Sequence, residues 1–133
     1  MKNSKNSFIQ KLVVLPIFFM ILIVSSCSND EEADTIDSKL VGSWSGTYSG
    51  DDRGVWTVNV NASGQVTGTA TSTFTTDSAA ISGSVSSNGT LSATLGNSEN
   101  REFVGLLEED NTASGTWVDT QRDQSGTWAG QKN

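Results

Sequence analysis

Histidine is absent from this sequence of 133 residues, and cysteine, proline and tyrosine each occur once. Without imidazole, the commonest general base and the commonest metal ligand are both missing. The single cysteine, Cys27, cannot form a disulfide within the chain. The single proline, Pro16, falls in an apolar stretch near the start, so no proline interrupts the remainder. Long hydrophobic runs are scarce as well. One exists, the thirteen residues 12–24, whereas a membrane-spanning helix needs about 20. Basic residues number eight against fifteen acidic ones, for a formal net charge of −7. Three of the eight, Lys2, Lys5 and Lys11, precede Cys27 while every acidic residue follows it, which leaves five against fifteen, or −10, from Cys27 onward. Such a field repels nucleic acid and anionic headgroups, so nucleic acid is not an expected partner. The same acidity serves solubility at a crowded surface.

What is present at the N-terminus has the anatomy of a secretory signal: lysines, an apolar core, then small residues at a cleavage position. Val24-Ser25-Ser26-Cys27 resembles the lipobox of bacterial lipoproteins. That resemblance implies removal of residues 1–26 as a lipoprotein signal peptide and attachment of a diacylglyceryl group to Cys27, the lipidation site. Each buried methylene contributes about 0.8 kcal/mol, so two or three acyl chains would anchor the protein durably to the membrane. A lone thiol at the terminus of an exported chain would otherwise need its own explanation.

After Cys27, Asp30, Glu31, Glu32 and Asp34 crowd a segment with little apolar surface, and 27–39 is expected to be an acidic, flexible tether. An acidic cluster just behind the lipidated cysteine also resembles the export signal of surface lipoproteins in one Gram-negative lineage. Ser28, rather than aspartate, follows the cysteine, which departs from the familiar inner-membrane retention signal. These resemblances imply the cell outer membrane, facing the exterior.

From residue 40 the composition turns to glycine, serine and threonine with single apolar residues between them, and no helix of useful length can be drawn. Trp56-Thr57-Val58-Asn59-Val60 alternates with the period of two that marks a half-buried strand. Ser63-Gly64 turns into a second strand from Gln65 to Phe74. Ile81–Val85 and Leu91–Leu95 flank Ser87-Asn88-Gly89, the strongest short hairpin signal in the chain. Arg101–Leu107 and Thr112–Val118 flank a polar turn, and Gly42–Tyr48 and Ser125–Gln131 complete eight strands. Closing eight short strands removes both sheet edges. The expected fold is an all-β, small antiparallel up-and-down β-barrel over residues 40–133, with a β-sandwich or β-roll as the alternative.

Gly42-Ser43-Trp44-Ser45-Gly46 and Gly126-Thr127-Trp128-Ala129-Gly130 share one pattern, and Gly115-Thr116-Trp117 repeats its first half. A ring flanked by glycine is expected to lie across backbone at a narrow place. The first and last strands are expected to be neighbours that seal the barrel, so that Trp44 and Trp128 couple energetically if their rings touch. Inward positions are Trp44, Tyr48, Trp56, Val58, Val60, Val66, Phe74, Ile81, Val85, Leu91, Leu95, Phe103, Leu107, Trp117 and Trp128. An eight-stranded barrel is filled by its own side chains or holds one small ligand. Several glycines and alanines share the inward face, which leaves room for a partly open end lined by tryptophan. The early Gly-x-Trp, the meander and the Ser63–Thr69 hairpin look like the lipocalin and avidin group of small barrels. That likeness implies binding of an apolar or vitamin-sized ligand in the barrel mouth.

Catalysis has little to stand on. Asp51-Asp52 with Arg53, Glu108-Glu109-Asp110, and Asp119 with Arg122 and Asp123 all fall in polar connections, where solvated turn chemistry is the default. No Asp-x-Asp-x-Asp-Gly loop marks calcium, and no spacing sets two carboxylates across a cleft as a glycosidase requires. The chain is read as a non-enzyme without metal or cofactor. The first functional reading is interaction with another protein at the envelope, with Val104 and Leu106 as an outward apolar stripe. The alternative is a binding module in which Trp44, Trp117 and Trp128 form a stacking platform for a small apolar molecule or glycan.

Overall fold

The computed structural model describes residues 35–133, so the predicted signal peptide, Cys27 and the acidic cluster lie outside the described residues. Within them, strand follows strand: β1 (Gly42–Gly50), β2 (Gly54–Val60), β3 (Gln65–Ser72), β4 (Ser78–Val85), β5 (Thr90–Leu95), β6 (Arg101–Leu107), β7 (Thr112–Asp119) and β8 (Gln124–Lys132). Alternation decides which face each residue takes. In β2, Gly54, Trp56, Val58 and Val60 are buried and the residues between them are exposed. Each strand pairs antiparallel with its sequence neighbours, and β1 also pairs with β8. The protein is a closed, eight-stranded, antiparallel up-and-down barrel. Closure engages the ladder groups that an open sheet would leave on two edges.

Local chemistry sets the turns. Gly89 adopts φ +87°, a left-handed conformation that only glycine takes freely. Its N–H donates to Ser86 O at 2.9 Å while Ser86 N–H donates to Thr90 O at 3.0 Å, so Ser87-Asn88-Gly89 closes the β4–β5 hairpin as its sequence predicts. The β3–β4 connection differs from expectation. β3 stops at Ser72, because the Ser72 hydroxyl accepts the N–H groups of Phe74 and Thr75 at 3.2 and 3.1 Å and folds the chain over. Phe74, expected to point inward, is instead 74% exposed.

One end of the barrel is closed by the segment that leads into β1. Ile36 N–H donates to Ala62 O at 3.1 Å, and Leu40 is buried beside Trp44, whose Nε1 donates to Leu40 O at 3.0 Å. Lys132 Nζ reaches Lys39 O at 2.9 Å. Among the described residues, Ile36 and Lys39 thus contact the barrel from inside the stretch assigned to the tether.

The middle of the barrel is aromatic. Phe103 and Trp128 stack with centroids 4.5 Å apart, and Trp56 meets both edge-on, at 5.7 and 5.2 Å. These rings fit because glycines face them. A Cβ added at Gly105 or Gly115 would come 2.5 Å from Trp128 Cζ2, and one added at Gly130 would come 2.5 Å from Trp56 Cζ2. The rings do cross backbone, as the Gly-x-Trp pattern implies, but the glycines that receive them belong to other strands. Trp44 and Trp128 do not face each other across the seam. Trp44 is opposite Lys132 and Trp128 opposite Tyr48, four positions apart. At about 3.4 Å per residue, that offset places Trp44 near the closed end and Trp128 in the middle.

Candidate functional site

The inward positions at the other end carry a different chemistry. Tyr48 on β1, Ser72 on β3, Arg101 on β6, Asp119 on β7 and Gln124 on β8 ring a cavity of about 370 Å³, with Phe103 and Trp117 beneath them. Ala70, Ala79 and Leu95 supply the apolar remainder. Small side chains on β3 and β4 leave the space; the large rings of β6 and β7 make the floor.

Charge on the β6–β8 side is built around Asp119, which is only 3% exposed. Arg101 and Asp119 are cross-strand partners, and Arg101 Nε lies 3.0 Å from Asp119 Oδ2. Asp119 Oδ1 accepts the N–H groups of Gln121 and Arg122 at 3.1 and 3.2 Å, which shapes the β7–β8 turn. That turn brings Arg122 Nε to 3.9 Å from the same carboxylate. Two guanidinium groups therefore share one buried acid. Arg101 Nε is itself buried and makes no hydrogen bond, because Asp119 Oδ2 lies off its N–H direction.

On the opposite side, the β1–β2 connection carries Asp52 into the cavity wall. Its carboxylate accepts hydrogen bonds from the Ser72 hydroxyl at 2.8 Å, the Tyr48 phenol at 3.3 Å and the Arg53 N–H at 2.8 Å. Burial first, and then the charge of Asp52, hold the Tyr48 phenol above its ordinary pKa. The Tyr48 ring meets Trp117 edge-on at 5.8 Å. Asp77 adds a further carboxylate at the exposed rim. Among the described residues, no three His, Cys, Asp or Glu side chains are grouped to hold a metal ion.

The three candidate tryptophans do not form one platform. Trp44 is wholly buried near the closed end, and Trp128 is 2% exposed within the central stack, its Nε1 shared between Val104 O and Thr116 O at 3.1 Å each. Only Trp117 borders the cavity, with its Nε1 donating to Ser49 O at 3.1 Å. No family model, curated protein or solved structure matches this chain. The site therefore has to be read from its own chemistry.

Sequence reasoning missed the Arg101–Asp119 pair and the inward turn of Asp52. A signal for the pair existed. Arg101 shares parity with Phe103 and Leu107, and Asp119 with Ala113 and Trp117, so simple alternation along β6 and β7 turns both charges inward.

Proposed function

We propose that this chain binds a small molecule in the mouth of its barrel while anchored by lipid on Cys27 at the outer membrane, facing the cell exterior. The cavity of about 370 Å³, with its aromatic floor and charged walls, carries the binding part. Ligand sites typically occupy about 300–1,000 Å³ and pair apolar lining with a few convergent polar groups. Strands on every side form the mouth before any ligand arrives, so little ordering cost falls on binding. The anchor rests on the resemblance of Val24-Ser25-Ser26-Cys27 to a lipobox, and the outward address on the acidic run behind it.

Protein interaction through the outer wall has less support. Leu106 is 38% exposed, but Val104 is half-buried, and the other exposed large apolar residues, Val55 and Phe74, sit on separate elements. Apolar residues scattered singly are ordinary for a protein surface. The proposed role is non-enzymatic: of the two carboxylates set into the cavity wall, Asp119 is engaged by Arg101 and Asp52 by three hydrogen bonds.

The test is a panel of aromatic and sugar fragments titrated into full-length protein in detergent, read by tryptophan fluorescence and thermal midpoint. Ala79→Phe serves as a variant that fills the mouth. Fragments that shift the parent and not the variant support the reading. Fragments that bind both alike, or a panel without a binder, overturn it.

A further inference from the structure

The two sides of the mouth differ in sign. Asp52 on the β1–β2 side pairs with no cation among the described residues, and its hydrogen bonds come from a serine, a tyrosine and a backbone N–H. Asp77 extends that negative side to the rim. On the β6–β8 side, Arg101 and Arg122 share the single carboxylate of Asp119, so one positive charge is in excess. The Arg101 Nε is sealed from solvent and, although it lies 3.0 Å from Asp119 Oδ2, makes no hydrogen bond. Burial and then Asp52 hold the Tyr48 phenol proton, and the positive charge of Arg101 acts against them.

A ligand with one charge complements half of this mouth. A cation suits Asp52 and meets excess positive charge across the cavity; an anion suits the guanidinium groups and faces Asp52. A neutral apolar molecule would fill the floor over Trp117 and Phe103 while stripping water from both sides without replacing it, which costs free energy for every charged group left unpaired. We propose that the mouth selects a small zwitterion with an apolar body, of the class of a free aromatic amino acid, its ammonium directed to Asp52, its carboxylate to Arg101 and Arg122, and its ring to the floor. This proposal rests on the small-molecule reading above and adds the charge pattern of the ligand.

Four compounds of one shape separate the terms: L-phenylalanine, phenethylamine, 3-phenylpropanoate and 2-phenylethanol, titrated calorimetrically into full-length protein in detergent. L-Phenylalanine is expected to bind about tenfold or more tighter than either singly charged analogue, the scale of one charge-assisted hydrogen bond. Asp52→Asn should weaken L-phenylalanine and phenethylamine and spare 3-phenylpropanoate. Arg122→Gln, at a side chain 64% exposed and therefore tolerant of change, should weaken L-phenylalanine and 3-phenylpropanoate and spare phenethylamine. A singly charged or neutral compound that binds as tightly as L-phenylalanine overturns the proposal, as does an Asp52→Asn variant with unchanged affinity for it. If such a compound is still blocked by Ala79→Phe, the mouth is a binding site and only the charge pattern falls. If no compound or fragment binds there, both readings fall.

Discussion

Trp117 and Trp128 each lie over the glycine that precedes the other by two residues. In the β7–β8 register, Trp117 is opposite Gly126 and Trp128 is opposite Gly115. A Cβ at Gly126 would come 2.6 Å from Trp117 Nε1, and one at Gly115 would come 2.5 Å from Trp128 Cζ2. The repeated Gly-Thr-Trp thus works across the hairpin: each strand supplies a ring and the space for its neighbour's ring. Trp117 is thereby fixed at the floor of the mouth and Trp128 in the stack below it.

Gly115→Ala and Gly126→Ala should each destabilise by about 1–3 kcal/mol, the usual scale of overpacking. Replacing Trp128 by Phe in the Gly115→Ala background should recover only the part of the loss due to the ring, since the new methyl also runs into the backbone Val104 O. Thermal midpoints of the four proteins check this. An unchanged midpoint for Gly115→Ala would deny the close approach of both Val104 O and the Trp128 ring, and a loss that Trp128→Phe leaves untouched would assign it to the backbone alone.

Trp44→Ala and Trp128→Ala should each cost about 3–5 kcal/mol, the range for truncating a buried large aromatic. Because the two are four positions apart along the seam, the double variant should lose the sum of the singles. Trp56 and Trp128 are only 5.2 Å apart, and their double variant should depart from additivity by about 0.5 kcal/mol or more. Urea denaturation of each set distinguishes the two cases.

Asp119→Ala should destabilise by about 3 kcal/mol, because it leaves the half-buried Arg101 without its counter-charge and removes two turn hydrogen bonds. Asp119→Asn retains an acceptor for Gln121 and Arg122 and should lose less. Equal losses for the two would mean that the turn contributes nothing.

Tyr48 sets a dependence at high pH. Burial, followed by Asp52, raises its phenol above the ordinary value near 10, so the folded protein holds that proton more tightly than the unfolded chain. The linked stability is whole below the unfolded value and is lost as pH rises through the higher folded one. Above about pH 10 the urea midpoint of the parent should fall more steeply than that of Tyr48→Phe. Parallel slopes would deny the linkage.

Cys27→Ala should abolish fatty-acid labelling in cells and leave a longer, unprocessed precursor. Labelling equal to the parent's would remove the lipoprotein proposal.

Fold class was legible in the chain itself. Period-two alternation places Trp56, Val58 and Val60 on one face whatever their neighbours do, and Asn88-Gly89 turns because Gly89 takes a left-handed conformation freely. These are local constraints, and eight of them in succession leave a closed meander as the economical solution. Phe74 was misread because alternation carries no mark of where a strand stops; that was decided by the Ser72 hydroxyl, which captured two N–H groups of the following turn. The stacking of Trp128 on Phe103, the separation of Trp44 from Trp128 and the choice of Trp117 as the one tryptophan at the mouth all depend on register around the closed sheet. Register is a property of strand pairs. The mouth is more remote still from local sequence: Arg101 and Asp119 meet within the β6–β7 hairpin, but Asp52 joins them around one cavity only when β1 closes on β8. The chain by itself determined that strands would form and which faces they would bury, through sterics and hydrophobic period. That Asp52 would face the Arg101–Asp119 pair across one cavity was decided only by closure of the barrel.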